Sequence, residues 1–427
     1  MTDLLDSQAA AGRPPQRTRI QHAGAGPRPG ANQYDLGTFN EATIIETIRQ
    51  AGSISRTEIS ERTGLTQQSV SRILRTLIER GLLAEGEQLR SEKVGKPRTP
   101  VRLRPEAAHA AGVLVDPERL TCVLAELDGT VVERRSEDFD GQVAPEALVE
   151  IIGGHVEDML TASGIDRSTF LGLGVATPGP ITNGGDLLEL PLSRAWRNVP
   201  LRRMLAERLH CGVIVQKDGE AAAIGERWIG QNSRAGDFVY LYFGTGIGSG
   251  LVLNGDIYRG TSSNAGEFGQ LAAIQIGQLD DLGRPTLVRE CNPTTALPEI
   301  ALELGYSGPA RTYAEMCREV GRGVPEAVAA AHRVADVIAR GAVGLIDLLD
   351  LPMMVVGGPA FEPELREIVL TTLDAAVNSI PTARSARHVA VELSVLEEVA
   401  GAIGAASSIF HGSFAPSVRS MTGPRPW

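Results

Sequence analysis

Four short segments of this 427-residue chain set hydrogen-bonding side chains beside glycines and turns. Lys217-Asp218-Gly219-Glu220-Ala221 follows an apolar run and opens a helical pattern. Ala265-Gly266-Glu267-Phe268-Gly269-Gln270 holds an acid and an amide three residues apart. Glu290 lies in Val288-Arg289-Glu290-Cys291, and an apolar strand pattern from Gly172 runs into the turn Pro178-Gly179-Pro180. A carboxylate accepts several hydroxyl hydrogen bonds, so Asp218, Glu267 and Glu290, with Gln270 beside them, suit a polyhydroxylated ligand. Any one of these acids alone would pass for a surface residue or a helix cap; as a set facing a cleft they read as a polyol site.

A fifth segment, Gly244-Thr245-Gly246-Ile247-Gly248-Ser249-Gly250, has the alternating glycines that turn backbone N–H groups toward an anion. A Rossmann fingerprint is excluded, because a strand and not a helix follows. An unliganded glycine-rich turn is the plainer reading of such a loop by itself. Its counterpart earlier in the chain is Asp116-Pro117-Glu118-Arg119. That loop has no glycine, its proline has no N–H, and Glu118 would repel a phosphate. A nucleotide gripped between the two loops would have lost one clamp.

These segments need a scaffold of two related lobes. Residues 110–116, 120–127 and 130–133 read as strands, with Asp128-Gly129 as a type I′ turn. Residues 238–243, 250–253 and 256–258 repeat the order, with Asn254-Gly255 at the turn. The duplication predicts an α/β fold of two lobes with a cleft between them.

The front of the chain is built differently. Residues 1–33 are rich in Gly, Pro, Ala, Gln and Arg and read as a disordered arm. Ile44, Ile45 and Ile48 then make an apolar helical stripe ended by Gly52. Residues 56–63 and 66–80 form a second and a third helix around the turn Gly64-Leu65, with Thr66 as N-cap. Strands at 82–83 and 101–103 flank a polar loop carrying Arg90, Lys93, Lys96 and Arg98. Three helices and a basic hairpin make a winged helix-turn-helix over 34–105. Gln67, Gln68, Ser69, Ser71 and Arg72 would meet base edges in the major groove, and Lys96 and Arg98 the minor groove or its phosphates.

Charge follows the same division. The net charge is −11, yet residues 1–105 carry 16 Lys+Arg against 11 Asp+Glu, and the rest carry 25 against 41. A basic front on an acidic body fits a DNA-binding module joined to another domain. No run of about 18 apolar residues is present, which excludes a spanning helix of the usual length. Four cysteines without close pairing and no apolar leader lead us to expect a cytoplasmic protein without disulfides.

The motifs together resemble the ROK family, named for repressors, open reading frames and sugar kinases. The resemblance runs from about residue 32 to about residue 411. It is carried by Leu190-Pro191, Trp196-Arg197-Asn198-Val199-Pro200-Leu201, the glycine run from Gly244, Tyr258-Arg259-Gly260, Ala265-Gly266-Glu267 and Val355-Val356-Gly357-Gly358-Pro359. It implies a two-lobed actin-like, sugar-kinase-like domain of duplicated RNase H-like topology over 106–411, followed by a tail from 412. One lobe would hold about 106–230 and the C-terminal helix, the other about 231–390. The resemblance further implies that Asp218 matches the kinases' catalytic aspartate, and that Glu267, Gln270 and Glu290 match sugar-contacting positions, with Pro178 and Gly179 lining the site. The winged helix is what the family's repressors carry.

Three departures bear on function. Lys217 replaces an asparagine, Gln270 replaces a histidine that contacts sugar and zinc, and the family's cysteine cluster is missing between 277 and 290. We therefore expect no structural zinc, no cofactor and no catalytic residue. The expectation is a regulator, most simply a repressor of carbohydrate genes, which binds operator DNA as a homodimer or homotetramer. A sugar or sugar phosphate in the cleft would control it. Lys217 would meet a ligand phosphate or form a salt bridge to Asp218 or Glu220. The alternative is an ATP-dependent sugar kinase with an added DNA-binding front.

Overall fold

The computed structural model describes residues 33–86, 99–117, 119–138, 143–182, 188–189, 196–230, 234, 236–284, 286 and 288–415. The expected arm, the wing residues Arg90, Lys93, Lys96 and Arg98, loop residue Glu118, and the Leu190-Pro191 part of the family motif lie outside the described residues.

The chain opens with helix α1 (Gln33–Ala51), strand β1 (Ile54–Ser55), α2 (Arg56–Thr63), α3 (Gln67–Glu79), β2 (Leu83–Glu85) and β3 (Pro100–Leu103). Local chemistry sets each boundary. The Ser55 hydroxyl and Glu58 carboxylate close a reciprocal capping box at the start of α2. Gly64, at φ 70°, ends that helix in the left-handed conformation a residue without Cβ adopts freely. The Thr66 hydroxyl accepts the Ser69 N–H and caps α3. Ile44, Ile48, Ile59, Val70 and Leu74 are fully buried in the core of this domain. Ile54-Ser55 adds a third strand, in the order β1-β3-β2; two residues are too few for an alternating pattern to reveal in sequence.

The body holds two five-stranded sheets. The first contains β4 (His109–Val115), β5 (Arg119–Glu126), β6 (Val131–Asp138), β7 (Phe170–Thr177) and, beyond the ribbon β8 (Leu188–Glu189) and β9 (Arg197–Val199), β10 (Gly212–Lys217). Its helices are α4 (Pro145–Ala162), α5 (Leu201–Leu209) and α6 (Asp218–Ile229). The second sheet contains β11 (Phe238–Phe243), β12 (Ile247–Leu253), β13 (Asp256–Ile257), β14 (Met353–Gly357) and β15 (Ala390–Leu393). Helices α7 (Phe268–Gln275), α8 (Pro293–Glu303), α9 (Tyr313–Gly321), α10 (Pro325–Leu349) and α11 (Pro363–Ser379) surround it, and α12 (Ala400–Phe414) follows.

The strand orders are β6-β5-β4-β7-β10 and β13-β12-β11-β14-β15, with two antiparallel and two parallel pairings in each. The two sheets thus repeat one topology. The equivalent last helices, α6 and α12, pack against each other through small residues: a Cβ on Gly404 would lie less than 3.0 Å from the Ala221 backbone. Gly112 and Gly174 let β4 and β7 approach α12 in the same way. The helix α12 includes residues 412–414, where the sequence reading began a tail.

Two local readings need correction. Asp128 does not take positive φ; only Gly129 does, at 94°. The Gly129 N–H donates to Glu126 O, and the β5–β6 register shifts beside the turn, so the hairpin closes with a glycine bulge and not with a type I′ turn. Asn254 and Gly255, at φ 55° and 70°, do form the type I′ turn. The presumed glycine loop is only the turn 244–246, because β12 begins at Ile247. Gly250 is required for a different reason: its Cβ would lie less than 3.0 Å from the Gly219 backbone, so glycine here lets α6 lie close on β12.

Candidate functional site

The parallel strands of the first sheet end together at the cleft. The β4 end carries Asp116, the β7 end Thr177 and Pro178, and the β10 end Lys217 and Asp218. Gly248 of β12 faces Asp218, and a Cβ there would sit 3.6 Å from Asp218 Oδ1. Asp218 is half-buried in the first turn of α6. Burial pushes its carboxyl up to about 7; the Gly219 N–H and the Lys217 charge oppose this, and Asp116 and Glu267 add to it. The group can therefore donate or accept near neutral pH. The buried hydroxyls of Thr177, at the β7 end, and of Tyr242, in β11, have no hydrogen-bond partner among the described residues.

Lys217 does not pair with Asp218 or Glu220. Its ammonium donates to Ala265 O at 3.0 Å and to Glu267 Oε1 at 2.6 Å. Its stem packs on Gly179, where a Cβ would come within 3.2 Å. Glu220 instead pairs with Arg259 at 2.6 Å, and burial still raises its carboxyl against the Arg259 charge. The Asn264 amide donates to Ile181 O at 2.7 Å and accepts the Ile181 N–H at 2.9 Å. Residues 259–267 thus form a strap from the second lobe that grips the first at Glu220, Ile181 and Lys217. Arg259 and Asn264 were not assigned these roles from sequence. The Tyr258-Arg259-Gly260 motif was the available signal for the first; a lone asparagine between serine and alanine gave none for the second.

Glu267 and Gln270 are exposed at the start of α7. Glu290 is buried in a one-turn 3₁₀ helix and already neutralised by Arg333 of α10 at 3.2 Å, with Arg289 at 3.7 Å. Cys291 packs near Gly269, and burial holds its thiol up at about 12. No grouping of three or more His, Cys, Asp and Glu suited to a metal occurs among the described residues. The structure therefore brings Pro178, Gly179, Lys217, Asp218 and Glu267 together, places Gln270 one helical turn beyond Glu267, and commits Glu290 to two arginines.

On the winged helix, Gln67, Gln68 and Arg72 stand exposed on the outer face of α3, and Ser71 is half-buried. Ser69 is tied to the cap, its hydroxyl 3.0 Å from the Thr66 hydroxyl. Arg75, one turn after Arg72, shares the exposed face and was missed in the sequence reading. Behind it, the domain is fixed to the body. Arg49 of α1 forks Glu46 through two 2.8 Å hydrogen bonds, donates to the backbone oxygens of Arg227 and Trp228 at the end of α6, and lies 4.7 Å over the Trp228 ring. Glu46 also meets Arg227 at 3.0 Å. Burial would raise the Glu46 carboxyl, but hydrogen bonds and charges from Arg49 and the Arg227 charge outweigh it and hold the group at about 2.

Comparison with known proteins agrees with this architecture. Residues 38–91 match the MarR family, and residues 111–411 match the ROK family. The chain is 27% identical to the xylose repressor of Bacillus subtilis over 56% of this chain and 62% of that protein. It is 23% identical to the xylose repressor of Caldicellulosiruptor bescii over 79% and 89%, and 24% identical to the DNA-binding transcriptional dual regulator NagC of Escherichia coli over 80% and 85%. For the first curated relatives the match spans only about three fifths of their length, 58% and 62%. A solved ROK family transcriptional regulator, homologous to the E. coli MLC protein, superposes with a TM-score of 0.71 at 18% identity, covering 91% of this chain and 97% of that one. A ROK family glucokinase from Streptomyces griseus shares the fold of the body, with a TM-score of 0.56 at 21% identity over 70% and 99%. With a matched region that takes in both lobes, the chain belongs to the ROK family.

Proposed function

We propose that the chain is a sequence-specific, sugar-responsive transcriptional regulator, acting as a repressor of carbohydrate-related genes through a kinase-like body that no longer transfers phosphate. The observation that carries this reading is the winged helix with its exposed Gln67, Gln68, Arg72 and Arg75 face, packed against a two-lobed body. Glutamine suits adenine and arginine suits guanine in the major groove. Relatives named as xylose repressors and as NagC support the class of function, and a sugar or sugar phosphate is the effector we assign to the cleft. A homodimer would set two recognition helices on half-sites about one helical turn, or a multiple of it, apart. A cytoplasmic site of action follows from that role.

The kinase reading has one feature in its favour, Asp218 in the first turn of α6 beside Gly248. Against it stand the β4–β5 turn, closed tightly by Asp116 N–H to Arg119 O with Pro117 inside it, and Lys217 on Glu267. Such a turn offers no glycine nest for a phosphate. Purified full-length chain incubated with ATP and a hexose panel separates the two readings. We expect no ADP release above background; sugar-dependent turnover would establish the enzyme.

A further inference from the structure

We propose that α6 transmits the state of the cleft to the winged helix, and that the buried trio Glu46, Arg49 and Arg227 is the joint. The inference rests on the regulator reading for its biological use, though not for its test.

One helix touches all the parts that must communicate. At its start, Asp218 faces the cleft, Lys217 just before it reaches across to Glu267 of the strap, and Glu220 holds Arg259. In its third turn Gly225 packs on Gly404 and Glu226 enters a buried cluster at the crossing between lobes. There Arg234 meets Glu226 and Glu392 at 2.8 Å each, and Ser394 donates to Glu226 at 2.7 Å. At its end Arg227 and Trp228 receive α1. Twelve residues make a rod of about 18 Å. Arg49 donates to the last carbonyls of this rod, where a cation also meets the negative end of the helix dipole. The winged-helix core runs on into the core around α6 and α12, so no flexible tether intervenes.

The joint also contains an imbalance. Glu46 Oε1 serves Arg49 Nη2, Gln50 Nε2 and Arg227 Nη2 together, at 2.8, 2.8 and 3.0 Å. Nε and Nη1 of Arg227, a residue only 6% exposed, have no hydrogen-bond partner among the described residues. A buried guanidinium with two idle donors is unfavourable. A small rotation of α6 would let Arg227 fork Glu46, while Arg49 kept the backbone oxygens and the Trp228 face. With the observed pairing, that second one would supply the two-state element that coupling between distant sites requires.

Hydrogen-exchange mass spectrometry on the full chain tests this without a ligand. Wild type, Lys217→Asn, Arg227→Met and the double variant are compared, the first substitution removing one of the strap's three attachments to the first lobe. We expect Lys217→Asn to change exchange in residues 41–51 by at least about fivefold, and to leave them unchanged when Arg227→Met is also present. Equal responses of residues 41–51 in both backgrounds, or no response in either, would overturn the proposal. Should Arg227→Met fold poorly, Glu46→Gln removes the shared carboxylate with little change of shape and carries the same two expectations. A wild-type chain that retains no duplex from a random pool would sink the regulator reading and leave the joint standing.

Discussion

Lys217 Nζ lies 2.6 Å from Glu267 Oε1, and the two residues belong to opposite lobes. The ammonium end of Lys217 is buried, whereas the Glu267 side chain is 55% exposed. A residue from the body's own first lobe thus engages a carboxylate that the family resemblance assigns to the sugar. The cleft is drawn together by the protein itself, at the strap 259–267.

Replacing Lys217 with asparagine, the residue the family usually has there, should free Glu267. Because Glu267 is largely solvated, the ion pair by itself should contribute about 1 kcal/mol or less, with the lost Ala265 hydrogen bond and stem packing adding to the cost. Calorimetric titration with neutral hexoses should show tighter binding to the variant than to wild type. Weaker binding would mean that Lys217 holds the ligand and does not compete with it.

Asp218 makes stability depend on pH. Its folded carboxyl is raised to about 7 from an ordinary value of 3.8, so the folded state binds more protons across that interval. Stability from this group is then fully present below the unfolded value and lost as pH rises through about 7. Asp218→Asn, which mimics the protonated acid, should match wild type in melting temperature near pH 4 and exceed it at pH 8. A difference that stays constant from pH 4 to pH 8 would contradict the burial argument.

Close helix packing makes several glycines irreplaceable and leaves others free. Gly404→Ala would drive a Cβ into the Ala221 backbone and should destabilise by about 1–3 kcal/mol or more. Gly154, in α4, has nothing within 4 Å of the equivalent position. Gly154→Ala should stabilise by about 0.5–1 kcal/mol through helix propensity. Urea unfolding of the two variants checks the contrast; similar effects would mean that α6 and α12 are not so tightly apposed.

Much of this organisation was legible because it rests on local signals. Gly64, Thr66 and the isoleucine stripe of α1 write the winged helix into short stretches of chain, and the repeated strand–turn–strand order exposes the duplication. Asp218 was found for the same reason, since a strand end opening a helix is visible locally. What stayed hidden depends on contacts between distant residues. The partner of Lys217 is fixed by a strap fifty residues away, and Arg49 reads as an ordinary end-of-helix cation until Trp228 lies beneath it. The reason for the glycines of β12 was hidden in the same way: their spacing suits an anion loop or a plain turn, but Gly250 answers to the backbone of α6.

On the exposed face of α3, for which DNA contact is proposed, Arg72→Ala should weaken operator binding by about 1–3 kcal/mol and relax preference at one base position, with unchanged circular dichroism. Thr66→Ala should act differently, costing about 1 kcal/mol of stability through the lost cap. Quantitative footprinting beside thermal melting distinguishes the two effects. An unchanged footprint with Arg72→Ala would place recognition on another face.

In the proposed function the cleft governs DNA binding. Its most direct test is the affinity of the full chain for a duplex selected from a random pool, measured across a library of sugars and sugar phosphates. At least one compound that binds the cleft should shift this affinity by about 5- to 150-fold. A compound shown by calorimetry to bind the cleft, with operator affinity flat across its whole titration, would contradict it.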